Sequence, residues 1–260
     1  MQGAEAGQRG VSTGISVVLI TLNEEKNIEA CLDTVRWADE VVVVDSFSKD
    51  GTVELARAKG ARVIQRQWPG MVGTQRNAGL DAVAGPWVLF LDADERVTPA
   101  LRDELLAAAR AGGIVGGRLP RRNFLFGRWL RCTWPDLTSR FVRKGEGRYN
   151  EVDGRGFDAM VFGAGTVRDF ESPLDHLTGE TLAVRLRKLD FDTTLQAGEK
   201  FRAGRSATFA NLVFSAPVAF ARTYFLKRGF LDGWAGFIFS CLYSFNTFMK
   251  YAKLWEMRAR

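Results

Sequence analysis

Apolar residues in the first half of the chain fall into two alternating rhythms. The runs ISVVLIT (15–21), EVVVVDS (40–46), ARVIQR (61–66) and PWVLFLDAD (86–94) are short and nearly continuous. That is the pattern of strands buried on both faces of a parallel sheet. Helical spacing fills the gaps. EKNIEACLDTV (25–35) puts Ile28, Cys31, Leu32 and Val35 on one stripe. DGTVELARAKG (50–60) starts at Asp50, a capping residue type, carries Glu54 in its first turn and ends at Gly60. GTQRNAGLDAV (73–83) and PALRDELLAAARAG (99–112) read as two further helices. Such a succession predicts right-handed crossovers and an α/β fold, with a Rossmann-like, mostly parallel sheet covered by helices on both faces.

The rhythm fades over residues 113–180, a Gly-, Arg- and Trp-rich stretch that reads as irregular. From residue 181 the spacing is helical again, and TLAVRLRKLDFDTTLQAGEKFRAG (181–204) is amphipathic and basic. Two uncharged stretches follow, 206–221 and 233–249, of 16 and 17 residues. Crossing a hydrocarbon core takes about 20. Pro217 interrupts the first, and Arg202, Arg205, Arg222, Lys227, Arg228, Lys250 and Lys253 flank the pair. Dense aromatics, among them Trp234, Phe237, Tyr243 and Trp255, complete the pattern. It predicts a basic, aromatic-rich segment lying in a membrane interface on anionic lipid. A soluble helical subdomain, a dimer face or true spans are the alternatives. The expected organisation is a flexible N-terminus (1–13), a catalytic domain (14–180) and this interface segment (181–260).

Charge sharpens that division. The net charge is +6. Residues 1–180 carry 23 Lys and Arg against 25 Asp and Glu, a balance of −2, whereas residues 181–260 carry 13 against 5, a balance of +8. The basic excess brackets apolar stretches instead of lining a polar groove, so no nucleic-acid partner is expected. Three scattered cysteines (Cys31, Cys132, Cys241) form neither a metal spacing nor a disulfide framework, and no secretory signal is legible. A reducing, cytoplasmic compartment fits. The single histidine, His176, excludes a His-rich metal site.

Candidate chemistry gathers where the strands end. Thr21, Asn23 and Glu24 follow the first strand, Asp45 the second, and Asp92 and Asp94 the fourth. Open α/β sheets bind ligands at these carboxyl ends. Asp92-Ala93-Asp94 closes an extended run, so both carboxylates can face one site and suit Mg2+ or Mn2+ bridging a diphosphate. Asp45 is placed to hold a ribose or base edge. No Gly-x-Gly-x-x-Gly or Gly-Lys-Ser/Thr loop follows the first strand, which argues against dinucleotide oxidoreductases and P-loop enzymes.

These residues also carry a resemblance. SVVLITLNEEKNIEACLDTVRWADEVVVVDSFSKDGTVELARAKGARV, GTQRNAGLDAV and WVLFLDADERVTP resemble the inverting family-two glycosyltransferases of GT-A fold. The similar branch is that of lipopolysaccharide core β-1,4-glucosyltransferases, and PRRNFLFGRWLR, WPDLTSRFVRKG and LRKLDFDTT extend the likeness. The resemblance implies a UDP-sugar as hexose donor and a lipopolysaccharide core or other lipid-linked saccharide as acceptor, at the inner face of the cytoplasmic membrane. It implies that Thr21, Asn23 and Glu24 line the nucleotide pocket, that Asp45 holds the base or ribose, and that Gln75, Arg76 and Asn77 face the diphosphate and sugar. Asp92 and Asp94 would carry the metal. This branch shows a Val-His-Glu-type segment that matches GFDAMV (156–161) here, with Asp158 and Ala159 on the His and Glu positions. The catalytic base is therefore sought in Asp158, in Asp136 of WPD, or in Glu151. Asp136 can instead pair with Arg140, four residues on. His176 resembles a family histidine near the acceptor side. A catalytically inactive GT-A module that binds lipid or a partner is the alternative function.

Overall fold

In chain order the first half runs β1 (Ile15–Thr21), α1 (Ile28–Asp33), β2 (Glu40–Asp45), α2 (Thr52–Ala58), β3 (Arg62–Gln65), α3 (Val72–Ala82), β4 (Trp87–Asp92), β5 (Glu95–Val97) and α4 (Pro99–Ala111). The computed structural model describes residues 12–151, 159–178 and 181–259. Strands β3, β2, β1 and β4 lie side by side in that order, all parallel. Alternation of side chains along each strand makes two cores. Ile15, Val17, Leu19, Leu89 and Leu91 pack with Leu32 of α1, Ala56 of α2 and Leu101 and Leu105 of α4. Val18, Val42, Val44, Val88 and Phe90 face the other way, toward Leu80 of α3. Helix α3 lies so close to the sheet that a Cβ on Gly79 would overlap Val18, so glycine is required there. The predicted strands and helices of this half are all present, although α1 is shorter than expected because residues 24–27 form a turn.

The second half corrects the irregular reading of 113–180. It contains β6 (Gly116–Leu125), β7 (Arg128–Trp129), β8 (Asp136–Arg143), β9 (Gly147–Tyr149), β10 (Met160–Phe162), β11 (Val167–Asp169) and β12 (Leu174–Thr178). The sheet continues from β4 through β8, β6 and β12 to β5, with β8 antiparallel to both its neighbours and β12 parallel to β6. Charge explains why the pattern was hidden. Cross-strand pairs Arg121–Asp136, Arg122–Asp175 and Arg118–Asp169, at 2.7, 2.5 and 2.6 Å, hold β6 to its neighbours. A strand carrying such pairs shows no apolar alternation.

Three helices complete the chain: α5 (Leu182–Arg202), α6 (Phe209–Ala221) and α7 (Gly233–Ala259). Thr181 caps α5, and Thr208 with Asn211 forms a capping box on α6. The helices dock on the sheet. Ala235 of α7 packs with Leu125, Leu130 and Cys132, and the Cys132 amide donates to Asp232 Oδ2 at 3.0 Å. The outer surface stays apolar, with Phe209 and Leu226 each 80% exposed and Trp234 77% exposed. By length and composition the stretch Phe209–Leu226 could cross a membrane.

Candidate active site

The parallel strands end in one row. Thr21 pairs with Asp45 and Ile20 with Asp92, so three predicted residues share a register at the sheet's carboxyl edge. Two loops there are stapled together. Asp45 is fully buried, and its carboxylate accepts from Thr21 Oγ1 at 2.9 Å, Ser48 Oγ at 2.5 Å and the Ser48 amide at 2.9 Å. Asn23 donates its amide to Ser48 Oγ and accepts the Lys49 amide on Oδ1, both at 2.8 Å. Thr21 and Asp45 thus fix the edge from within, while the loop backbone faces outward. Between them Phe47 is held at φ +60° with its ring half-exposed. Left-handed backbone is costly for a bulky residue and is tolerated where surroundings impose it. Phe47 was not singled out from the sequence, though a large apolar residue between two serines was a visible signal.

Asp92 lies at the centre. Arg76 Nη2 donates to its Oδ1 at 2.8 Å, and Arg140 Nη2 donates to Oδ2. The same Arg140 nitrogen lies 3.0 Å from Glu95 Oε1, and Glu95 Oε2 accepts the Asp92 amide at 2.9 Å. Burial alone would raise the Asp92 pKa, but Arg140 and Arg76 outweigh it and hold the carboxyl well below its ordinary range. Both Asp92 oxygens are therefore occupied by guanidinium groups. These pairs set Asp92 apart from Asp94, the other residue expected to carry the metal. Arg76 is buried as the partner of Asp92, with its guanidinium 5.0 Å from the Tyr149 ring centre.

The neighbours of Arg76 are framing groups as well. Gln75 Nε2 donates to Ser46 Oγ at 3.0 Å and to the Arg66 carbonyl at 3.1 Å. Asn77 exchanges hydrogen bonds with the Tyr149 backbone and donates to Glu151 Oε1 at 2.5 Å. Both side chains are buried.

Asp94 stands apart, in the turn between β4 and β5. Its carbonyl accepts the Leu177 amide at 2.8 Å, which sets its side chain beside His176. Asp94 Oδ2 lies 3.2 Å from His176 Nε2. The other imidazole nitrogen, Nδ1, is 2.7 Å from Asn123 Oδ1. Asn123 in turn donates Nδ2 to Asp136 Oδ2 at 3.0 Å. A carboxylate can only accept, so Asp136 fixes the amide orientation and Nδ1 must carry the imidazole proton. In neutral His176 the Nε2 lone pair then faces an anionic oxygen. A proton or a cation between them satisfies both.

This donor set fits a divalent ion. One carboxylate oxygen and one imidazole nitrogen converge, and the second imidazole nitrogen is oriented from behind. Among the described residues no group of three or more His, Cys, Asp or Glu side chains could hold a metal. Glu24 feels both Asp94 and Asp92. Burial, reinforced by these charges, raises its pKa despite the hydrogen bond from Asn27 Nδ2 at 2.8 Å.

Asp136 completes the line. Arg121, and not Arg140, is its partner, with Nε at 2.9 Å and Nη2 at 2.7 Å from Oδ2. The strand register, which sets Arg121 opposite Asp136, causes this. Burial raises its pKa, but Arg121 and Asn123 bring it below its ordinary value. Its second oxygen, Oδ1, takes no hydrogen bond among the described residues. Asp158 lies outside the described residues.

Residues 16–170 match glycosyl transferase family 2. The lipopolysaccharide core biosynthesis glycosyltransferase LpsC of Rhizobium meliloti is 30% identical over 255 residues, covering 94% of this chain and 93% of that protein. A glucosyl-3-phosphoglycerate synthase of Mycobacterium tuberculosis is 37% identical over 107 residues, 36% of this chain and 31% of the relative. A crystal structure of the synthase from Mycobacterium tuberculosis, in complex with Mn2+, UDP and glucosyl-3-phosphoglycerate, superposes with a TM-score of 0.50. That match spans 75% of this chain and 81% of the other, at 23% identity. The fold is GT-A. The chain belongs to glycosyl transferase family 2.

Proposed function

We propose that the protein moves a hexose, glucose, from a UDP-sugar to a lipopolysaccharide core or other lipid-linked glycan, with inversion at the anomeric carbon. The observation carrying this reading is the Asp94–His176 pair, two acceptor atoms 3.2 Å apart at the open edge of the sheet. The lipopolysaccharide relative supports the acceptor class, and the UDP and Mn2+ of the structural neighbour support the donor. Asp94 and His176 would hold Mg2+ or Mn2+, which supplies positive charge to the departing diphosphate. Asp92 keeps its two arginines in place behind them, and Glu24 with the stapled Thr21, Asn23 and Asp45 loop forms the nucleotide side. The Phe47 ring is the proposed platform for the base.

In the transfer, an acceptor hydroxyl oxygen bonds to the anomeric carbon as the bond to the β-phosphate oxygen breaks. The hydroxyl proton goes to a carboxylate. Asp136, with Oδ1 open beside His176, is the proposed base, and Asp158 is the alternative. The exposed apolar face of α6, edged by Arg222 and Arg228, would rest on the inner face of the cytoplasmic membrane and bring the acceptor within reach. The test is sugar release and transfer from UDP-glucose with Mn2+. Asp94→Ala should abolish divalent-dependent turnover while circular dichroism and melting stay unchanged. Undiminished turnover in that variant would remove the metal assignment.

A further inference from the structure

A cavity of about 330 Å³ lies where the sheet meets the C-terminal helices. Asp136, His176, Arg185 of α5 and Lys227 line it together with the aromatic Phe239 and Tyr243 of α7. The volume falls within the range of small-molecule sites. We propose that this cavity binds an anionic saccharide as acceptor, and that Arg185 and Lys227 select its carboxylate or phosphate group. The inference rests on the donor reading above and deepens it.

The charges argue for an anion. Arg121, the third cation of the lining, is already bonded to Asp136 at 2.7 Å and lies 3.7 Å from Glu95. Arg185 and Lys227 have no side-chain hydrogen bond or ion pair among the described residues, and they come from separate elements. Arg185 also borders a smaller cavity of about 170 Å³ that holds Lys188 and Asp192, one charge of each sign. With Arg121 paired to Asp136, Arg185 and Lys227 leave the larger cavity with two positive charges in excess. Isolated surface cations are ordinary. Two that line the same cavity as a carboxylate and an imidazole form a binding arrangement, in which the cations take an anionic group and Asp136 a hydroxyl. Phe239 and Tyr243, stacked at 6.2 Å, offer flat apolar surface to a sugar ring. The helices that turn aromatics outward thus also close the acceptor side.

The test is calorimetric titration of the full chain, with Mn2+ and UDP present. The probes are glucuronic acid, glucose 6-phosphate, methyl glucoside and inorganic phosphate. At least one charged sugar should bind tenfold or more tightly than methyl glucoside and inorganic phosphate. Its binding should weaken at least tenfold in both Arg185→Gln and Lys227→Gln. The two charged probes separate carboxylate from phosphate recognition. Equal binding of charged and neutral sugars, inorganic phosphate matching the sugars, or no change in either variant overturns the proposal. A parallel UDP titration keeps the two readings apart. Protein that binds UDP but neither charged sugar overturns this inference and leaves the donor reading standing. Protein that binds a charged sugar but not UDP supports this cavity and overturns the donor reading.

Discussion

Asp92 is held between Arg76 and Arg140, and Arg140 also serves Glu95, which is fully buried. Removing that guanidinium leaves Asp92 to Arg76 alone and Glu95 with only Arg121, 3.7 Å away, and breaking a buried pair from one side costs about 3–5 kcal/mol. Arg140→Met should therefore lower the denaturant midpoint strongly, measurable by urea unfolding. The pH dependence has a defined sign. The Asp92 pKa is lowered from 3.8, so its contribution is present above that value and is lost as pH falls below it. Glu24 is raised from 4.5, so its contribution is complete below that pH and is lost as pH rises through the folded value. Asp92→Asn should cost stability at pH 7 and progressively less in acid. Glu24→Gln should instead gain stability at pH 7 relative to pH 4. Phe47 separates stability from binding. Phe47→Gly relieves its left-handed backbone, so melting should hold or rise while UDP affinity falls. Stacking of a base on an aromatic ring is worth about 1–3 kcal/mol. Unchanged UDP affinity would remove Phe47 from the site. The acidic triplet was legible in sequence because its residues are adjacent. The pairing of Asp92 with Arg76 and Arg140 was not, since they come from 16 and 48 residues away.

At the scale of elements, what could be read depended on how each one is stabilised. Strands β1, β2 and β4 are apolar on both faces, so their sequence alone announced them. Strand β6 carries Arg118, Arg121 and Arg122 and is completed by Asp169, Asp136 and Asp175 from other strands, so it read as loop. The same cause hid part of the site. His176 and Asn123 sit on paired strands β12 and β6, and only that parallel register brings them together. The C-terminal helices were legible as helices, and their apolar outer face makes a prediction of its own. Fully burying a large apolar side chain contributes about 1.5–3 kcal/mol. Replacing Phe209, Phe214 and Trp234 together with serine should reduce binding to phosphatidylglycerol vesicles by at least a hundredfold in a sedimentation assay. Melting should be little affected, because these side chains are exposed. Equal sedimentation of variant and wild type would refute membrane docking through this face.

Over the whole molecule, one sheet carries three tasks on adjoining parts of its edge. The parallel half positions the stapled loops after β1 and β2, the β4–β5 turn presents Asp94, and the antiparallel half with β12 presents His176 and Asp136. The helices then close the far side of the cavity while their outer surface stays apolar. In the proposed reading, donor and acceptor meet along this edge. The link that joins them is the Asp94–His176 pair, and it can be tested without an acceptor. UDP affinity should be measured by titration calorimetry with and without Mn2+, in wild type, Asp94→Asn and His176→Ala. The account predicts that Mn2+ tightens UDP binding at least tenfold in wild type and that either substitution abolishes this gain. UDP binding that ignores Mn2+ in wild type, or that keeps the full gain in both variants, would contradict it.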